Sequence, residues 1–303
     1  MPVLGRAKGA LSYIEVRNDD PRDLGAPHVV DPLIQPTELQ HQLKRNPHVV
    51  VLGMTHPWRF RWRHLPGSYA VWRPQIGHAG GSRLIQATGF ETWAQSLGIH
   101  NGSCVVIWDR RYDASRLWWA FHRYGHSDVR VLDGGLRAWL SCGLPIKRGG
   151  GRPAPETQGN FQALEGNDFP IADTADVLAS EMNPDVQLWD CRSSGEWSGR
   201  RRLRGARKPG RIPWARHLPW ELFRNDSRRD RRFRSQQMIQ EVIEAYGIHP
   251  GKRQLFYCQS GVRTTVPMLA LARLGWDPHQ LCNYDGSWRE WSQSDVLPWT
   301  TDL

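Results

Sequence analysis

Long apolar runs and paired cysteines are both missing from this sequence of 303 residues. No stretch of about 18 apolar residues occurs, which argues against a membrane span. The first twenty residues carry charges throughout, so they do not read as a secretory signal. The odd number of cysteines and the absence of a C-x-x-C pair argue against a disulfide framework and a zinc site, and predict free thiols in a reducing cytoplasm. The cysteines are Cys104, Cys142, Cys191, Cys258 and Cys282.

Positive charge is abundant but concentrated in one segment. The net charge is +10, yet residues 200–234 alone contain thirteen arginines and one lysine against three acidic residues, so the remainder is close to neutral. We interpret this segment as a solvated basic loop that attracts anionic ligands. Binding of a nucleic-acid backbone is the alternative, although no aromatic RNA-binding motif accompanies the arginines.

The two halves of the chain repeat one order of elements. In each half an apolar strand is followed by a loop, a helix, a second strand, an Asp-Gly turn and a tryptophan-containing helix. Short apolar strands alternating with helices indicate a parallel sheet covered on both faces, and hence an α/β fold. The matched positions are Asp109 and Cys258 at the first strand end, 115–124 and 265–274 in the helix, and Asp133 and Asp285 at the turn.

The pattern predicts four segments. A stretch rich in glycine and proline without periodicity separates the two halves and indicates a linker. The predicted segments are an N-terminal extension at 1–25, a first domain at 26–146, the linker at 147–166 and a second domain at 167–303.

One loop of the second half combines the residue types that sulfur or oxyanion chemistry needs. A strand-to-helix turn directs backbone N–H groups inward, and the start of a helix adds positive potential, which favours a thiolate. A glycine permits the tight backbone angles of such a turn. The alternative is a buried core thiol at a strand end, but a purely structural loop does not need the glycine and the arginine. The loop residues are Cys258, Gln259, Ser260, Gly261, Val262 and Arg263.

Four segments in order resemble the tandem-domain rhodanese family, which includes thiosulfate and 3-mercaptopyruvate sulfurtransferases, from about Val29 to Trp291. The resemblance implies two tandem rhodanese-like domains of α/β class, each a mainly parallel sheet flanked by helices. It places the catalytic cysteine in the second domain only. Asp109 occupies the matching position in the first domain, which is therefore expected to be inert. The segments are 60–68, 116–119 with 131–135, Asp190-Cys191-Arg192, and 284–291.

The resemblance also implies a mechanism, its partners and its residues. Cys258 is expected to take sulfur from a small anionic donor, thiosulfate or 3-mercaptopyruvate, and to pass it from a persulfide to cyanide or a thiol such as thioredoxin. Backbone amides from Gln259 to Arg263 are expected to stabilise the persulfide, and Arg263 to hold the donor. We expect Asp190 and Arg192 to be structural, and we expect no metal, no cofactor and no membrane partner.

This loop departs from both branches of the family. The mercaptopyruvate branch usually has Gly after the cysteine and Thr at the end of the loop, where this chain has Gln259 and Arg263. A substrate-binding Arg commonly follows the Asp-x-Arg motif, and here Glu196 stands at that position. The terminal Arg resembles some bacterial thiosulfate enzymes, so thiosulfate is favoured as the donor. In the first domain, Gly53 takes the place of the expected strand-end Asp.

Two other cysteine chemistries compete with this interpretation. Phosphatases and arsenate reductases share a cysteine-arginine cradle, but they place five residues between the two, whereas four separate Cys258 from Arg263. The shorter cradle suits a single sulfur atom better than a tetrahedral oxyanion. A cysteine protease is disfavoured because no family signature surrounds Cys258.

Overall fold

The apolar runs of the sequence form two parallel sheets in a computed structural model. The structure describes residues 31–78, 83–166, 168–225 and 230–303, and Asp31–Leu303 forms one unit. The predicted N-terminal extension, 1–25, lies outside the described residues, and the predicted domain boundaries stay predictions. Within the described part, no helix has both the length and the apolar character that a membrane crossing requires.

The first domain contains ten regular elements in its described residues. Pro36 and Pro57 open the first two helices, where proline is tolerated because its missing N–H has no intrahelical acceptor. The elements are β1 (Leu33–Ile34), α1 (Pro36–Arg45), β2 (Val50–Met54), α2 (Pro57–Trp62), β3 (Ser68–Val71), α3 (Ala87–Ser96), β4 (Val105–Asp109), α4 (Asp113–Arg123), β5 (Val129–Leu132) and α5 (Gly135–Ser141).

The second domain repeats this order. Ser235 caps its longest helix by accepting a hydrogen bond from the Met238 amide at 3.2 Å, and Gly247 ends that helix in the left-handed region at φ +61°. The elements are β6 (Ile171–Ala172), α6 (Thr174–Ala179), β7 (Val186–Asp190), α7 (Ser194–Trp197), β8 (Arg216–His217), α8 (Gln236–Tyr246), β9 (Arg253–Tyr257), α9 (Thr265–Arg273), β10 (Leu281–Tyr284) and α10 (Ser287–Trp291).

The strand orders of the two sheets correspond one to one. Among the described residues the first sheet runs β1-β5-β4-β2-β3 and the second runs β6-β10-β9-β7-β8. Every strand pairing in both is parallel. Both strands that lead to the matched positions Asp109 and Cys258 are central, so their side chains are buried on both faces. The expectation of two mainly parallel α/β domains is confirmed.

The register explains the glycine at the strand end of the first domain. Gly53 pairs with Trp108, as Asp190 pairs with Tyr257 in the second domain. A Cβ on Gly53 would lie 2.5 Å from the Trp108 ring and 2.7 Å from Phe60. The large indole therefore excludes an aspartate here, and the first domain has no equivalent of the Asp190 carboxylate.

Tryptophan supplies much of the packing volume, as its count of sixteen suggests. Seven tryptophans are almost fully buried, whereas others, Trp58 and Trp72 among them, lie on the surface. The buried ones are Trp108, Trp118, Trp119, Trp139, Trp189, Trp288 and Trp291.

Part of the basic segment is used to join the two domains. The Arg224 guanidinium donates to the carbonyl of Arg111 at 3.2 Å, and Arg231 donates to the carbonyl of Arg110. The amide of Phe233 donates to the Asp133 carboxylate at 2.8 Å. These arginines therefore hold the loop that follows β4 and are not all part of a solvated basic surface.

Candidate active site

The loop of residues 258–264 connects the central strand β9 to α9. It lies at the carboxyl edge of the sheet, where ligands of open parallel sheets bind. Pro267 occupies the third position of α9, where its missing N–H costs no intrahelical hydrogen bond. The loop predicted from the sequence is thus placed between a buried strand and the start of a helix.

Ser287 anchors this loop from the adjoining helix. Its hydroxyl oxygen accepts hydrogen bonds from the amides of Cys258 at 3.1 Å and Gly261 at 3.0 Å, and its O–H donates to the carbonyl of Tyr284 at 2.7 Å. In return, the amides of Trp288 and Arg289 donate to the carbonyls of Cys258 and Gln259 at 2.9 and 3.0 Å. The start of α10 therefore fixes the loop from both sides. Ser287 was not among the predicted site residues.

Five other amides of the loop differ from those of Cys258 and Gly261 in their hydrogen bonding. Within the described residues, none of them donates a hydrogen bond to a protein group. The Gly261 amide was expected to stabilise the persulfide, but it donates to the Ser287 hydroxyl oxygen instead. The part that Gly261 plays is to allow the turn of the loop. Its φ is +67°, and a Cβ there would lie 2.3 Å from an Asp285 carboxylate oxygen. The five amides without an acceptor in the described chain belong to Gln259, Ser260, Val262, Arg263 and Thr264.

Cys258 is almost fully enclosed, at 1% exposure, whereas Gln259 and Ser260 beside it are half-buried. Cys191 follows Asp190, the partner of Tyr257 in the sheet, and its amide donates to the Tyr257 carbonyl at 2.8 Å. Burial raises the pKa of Cys191 well above its usual value, and the neighbouring Cys258 raises it further. Cys191 is therefore held as a neutral thiol next to Cys258.

Arg263 is paired with Glu196. Its two terminal nitrogens donate to the two carboxylate oxygens at 2.7 and 2.8 Å, and Glu196 also accepts from the Ser193 hydroxyl at 2.7 Å. Burial by itself would raise the pKa of Glu196, but the hydrogen bonds and charge of Arg263 outweigh it and lower that pKa. The expected free cationic group is thus neutralised, and donor binding by Arg263 stays a prediction.

Glu196→Gln is expected to destabilise the fold by about 2 kcal/mol at pH 7, because a neutral amide leaves the buried Arg263 guanidinium uncompensated. The folded pKa of Glu196 lies below the usual 4.5, so its contribution is complete above that pH and is lost as pH falls through the folded value. The difference in the free energy of unfolding between wild type and variant, measured with urea, should therefore narrow from pH 7 to pH 3. The control is Glu38→Gln, which removes an exposed pair with Arg130 and should change stability little. A gap that stays constant with pH would contradict the role of this ion pair.

Asp190 and Arg192 form a second buried ion pair, at 2.5 Å. Arg192 also donates to the carbonyl of Gly210 at 2.7 Å and stacks against Trp288 at 4.6 Å from the ring centre. These contacts join the end of β7 to the segment before β8 and to α10. Neither side chain is available to a substrate in this arrangement.

The first domain contributes residues that directly contact the loop 258–264. Arg116 on α4 donates to the carbonyl of Gly261 at 3.0 Å and to the carboxylate of Asp285, while Thr265 donates to the Ser115 hydroxyl at 3.1 Å. Asp285 also accepts from the Leu84 amide at 2.6 Å. Asp285 is therefore an interdomain contact, not only the turn residue expected from the Asp-Gly pattern.

Tyr112, in the loop after β4, faces the same site. Its ring lies 4.7 Å from that of Trp220. Burial raises the pKa of its hydroxyl, and Arg263 and Cys258 are close enough to act on it as well. Tyr112 thus lies near Arg263 and Cys258, and its position in a loop without a motif gave no sign of this placement.

The position that matches Cys258 in the first domain is closed. One carboxylate oxygen of Asp109 accepts a hydrogen bond from the Ala114 amide at 2.7 Å and so caps α4. Only three residues separate β4 from α4, against seven between β9 and α9. The first domain thus has neither a thiol nor an open amide-lined loop at this position.

Comparisons with known proteins agree with this architecture. The family model described as "Rhodanese-like domain" matches twice, at residues 35–142 and 174–294. The 3-mercaptopyruvate sulfurtransferase of Rattus norvegicus is 31% identical over 248 residues, covering 79% of this chain and 80% of the relative. The thiosulfate sulfurtransferase of Pseudomonas aeruginosa is 29% identical over 272 residues, covering 88% and 96%.

Solved structures show the same fold. The anaerobic ergothioneine biosynthesis enzyme from Chlorobium limicola, in complex with trimethyl histidine, superposes with a TM-score of 0.79 at 21% identity and covers 90% of this chain and 71% of that one. At this identity the likeness concerns the fold alone. The two matches to the family model and the relatives of similar length lead to one conclusion: the chain belongs to the rhodanese family and carries its domain twice in tandem.

Proposed function

We propose that this protein is a sulfurtransferase that carries sulfane sulfur as a persulfide on Cys258. The observation that carries the proposal is the loop itself, in which Cys258 opens a turn whose amides at five positions have no protein acceptor in the described chain. These amides suit a sulfur-centred anion, and each preorganised donor in comparable sites contributes roughly 3 kcal/mol. The sulfurtransferase names of the two relatives support the same chemistry.

The transfer has two steps. The Cys258 thiolate attacks the outer sulfur of the donor, a new S–S bond forms, and the donor leaves with the electron pair of the broken bond, as sulfite from thiosulfate. An acceptor, cyanide or a thiol such as thioredoxin, then attacks the outer sulfur and restores the thiolate. The low exposure of Cys258 restricts the approaching group to a terminal sulfur atom with little around it.

Burial keeps three of the other thiols protonated. It raises the pKa of Cys104, Cys191 and Cys282, which therefore stay protonated and weakly nucleophilic.

All five cysteines are free, which suits a reducing compartment, and we propose the cytoplasm.

We favour thiosulfate over 3-mercaptopyruvate as the donor. The loop ends in Arg263, as in some bacterial thiosulfate enzymes, and the exposed basic residues 200–204 adjoin the loop, where Gln259 donates to the carbonyl of Arg204 at 3.3 Å. A positive surface at the entrance increases the local concentration of a dianion more than that of a monoanion. 3-Mercaptopyruvate remains the alternative donor.

Intact-mass measurement of the protein tests the proposal. We expect thiosulfate to add one sulfur atom to the protein, cyanide to remove it, and 3-mercaptopyruvate to load it more slowly at equal concentration. Initial rates with thiosulfate and cyanide should give the parallel lines of a ping-pong mechanism. Faster loading from 3-mercaptopyruvate would select the alternative donor. No sulfur gain from either would refute the proposal, and a salt-sensitive gel shift with RNA would then favour a nucleic-acid-binding module.

A further inference from the structure

Five arginines surround a cavity in the first domain that takes no part in the proposed sulfur transfer. The cavity has a volume of about 790 Å³ and is open to solvent. None of its lining residues belongs to the loop 258–264. The arginines are Arg59 on α2, Arg110 and Arg111 after β4, Arg137 on α5, and Arg231 from the second domain.

This group, which we call the arginine cavity, has no carboxylate in direct contact with its guanidinium groups in the described part of the chain. Among the described residues, none of the five guanidinium groups forms a salt bridge. Two nearby carboxylates act on the group only through space: Asp109, which accepts from the Ala114 amide, acts on Arg231, and Asp113, which pairs with Arg73 at 3.4 Å, interacts with Arg111. The cavity therefore concentrates positive charge.

One of the five, Arg110, is half-buried. A terminal nitrogen of Arg110 is enclosed and has no hydrogen-bond acceptor in the described part of the chain. Burial lowers the pKa of Arg110 and of Arg231, and neighbouring guanidinium groups lower both further. A solvated basic face would not bring arginines from four separate chain segments together, because their mutual repulsion costs free energy that a bound anion would recover.

The size and the chemistry of the cavity define the ligand class. A guanidinium group binds phosphate oxygens in a bidentate manner, and a single small dianion engages only one or two such groups. Five groups around a volume typical of small-molecule sites need a ligand with several oxyanion groups. We propose that the arginine cavity binds a polyphosphate chain of at least two phosphate groups.

The chain of phosphates has two chemical sources, inorganic polyphosphate and a nucleoside polyphosphate. An adjoining cavity of about 360 Å³ shares three of the arginines and adds Trp58 and Trp72. These two side chains are 55% and 42% exposed, so their rings offer a surface on which a base could stack. The two sources therefore differ in whether Trp58 contributes to binding.

Calorimetric titration of the full chain measures the affinity of the arginine cavity for two probes, inorganic tripolyphosphate and ATP. The titrations are run at about 0.15 M salt, where exposed charges are screened. The double variant Arg59→Gln/Arg137→Gln removes two exposed guanidinium groups of the cavity, and Arg110→Gln removes the half-buried one. Arg61→Gln is the matched control, since Arg61 is an exposed arginine of the same helix that does not line the cavity. Circular dichroism and the thermal midpoint verify that each variant is folded.

We expect tripolyphosphate to bind and the double variant to weaken it at least about tenfold, while Arg61→Gln changes the affinity less than about twofold. ATP binding at least about tenfold tighter than tripolyphosphate, with the difference lost in Trp58→Ala, would assign a nucleoside source. Equal affinities would assign the phosphate chain alone. Absence of binding heat with both probes would overturn the proposal. So would a loss of affinity in Arg61→Gln equal to the loss in the double variant. Tight binding of single-stranded RNA without either small probe would also overturn it. These binding experiments do not depend on sulfur transfer.

Discussion

Cys258→Ser is expected to abolish sulfur loading and to lower transferase activity by about 10⁴-fold or more, the range seen when a covalent nucleophile is removed. The serine oxygen would occupy nearly the same position and keep the loop folded, because the Cys258 amide and carbonyl are held by Ser287 and by the Trp288 amide. A hydroxyl cannot form a perthiol, so treatment with thiosulfate should leave the mass unchanged. Intact mass and the rate of thiocyanate formation measure the two effects.

Cys191→Ala is the matched control for this prediction. Cys191 neighbours Cys258 and is equally buried, at 0% exposure against 1%. The variant should retain loading and most of the activity, because a neutral buried thiol contributes packing and not chemistry. Transfer by Cys258→Ser at the wild-type rate, or loss of loading in Cys191→Ala alone, would show that Cys258 is not the sulfur carrier.

The sequence could predict the fold because its signals are local and repeated. The apolar runs that end at Asp109 and Cys258 became the central strands of two sheets with corresponding strand orders. A buried parallel strand has to be apolar on both faces, and the Asp-Gly turn that follows the second strand marks the start of a helix in each half. Such patterns extend over a few residues and are therefore readable without the structure.

The contacts that hold the loop 258–264 could not be predicted in the same way. Ser287 binds amides 26 and 29 residues away, and Arg116 reaches the Gly261 carbonyl across 145 residues. No periodicity links positions at such separations, since the contact exists only after two helices have packed. Tyr112 likewise enters the site from the other domain, through a loop that carries no motif.

One long-range pair did leave a signal. Compared with the family pattern, the sequence has an acidic residue at Glu196 where an arginine is common, and a basic residue at Arg263 where a threonine ends the mercaptopyruvate loop. Taken separately, Glu196 suggested that the anion site is weakened, and Arg263 suggested that another arginine takes over the binding of the anion. The structure shows that the two departures are partners in one bidentate ion pair. Complementary changes of charge at two unusual positions could have predicted this contact.

The interdomain ion pair of Arg116 and Asp285 is expected to have the largest effect on stability. Both side chains are buried, at 3% and 2% exposure. Arg116→Met would leave a buried carboxylate without its cation, and removal of one partner of such a pair costs roughly 3–5 kcal/mol. The Gly261 carbonyl would lose one of its two side-chain donors and keep only Asn283, so the loop would shift and activity should fall about 100-fold even in the folded fraction.

Urea unfolding and steady-state rates measure these two losses, and two further variants interpret them. Arg83→Gln removes another interdomain ion pair, with Glu290, that is half exposed, so we expect a loss of about 1 kcal/mol or less. Adding Asp285→Asn to Arg116→Met should restore part of the stability, since it removes the uncompensated charge while an amide oxygen can still accept from Leu84. Equal losses in Arg116→Met and Arg83→Gln would mean that the buried pair contributes no more than a surface contact. In that case the first domain would not position the loop 258–264 through α4.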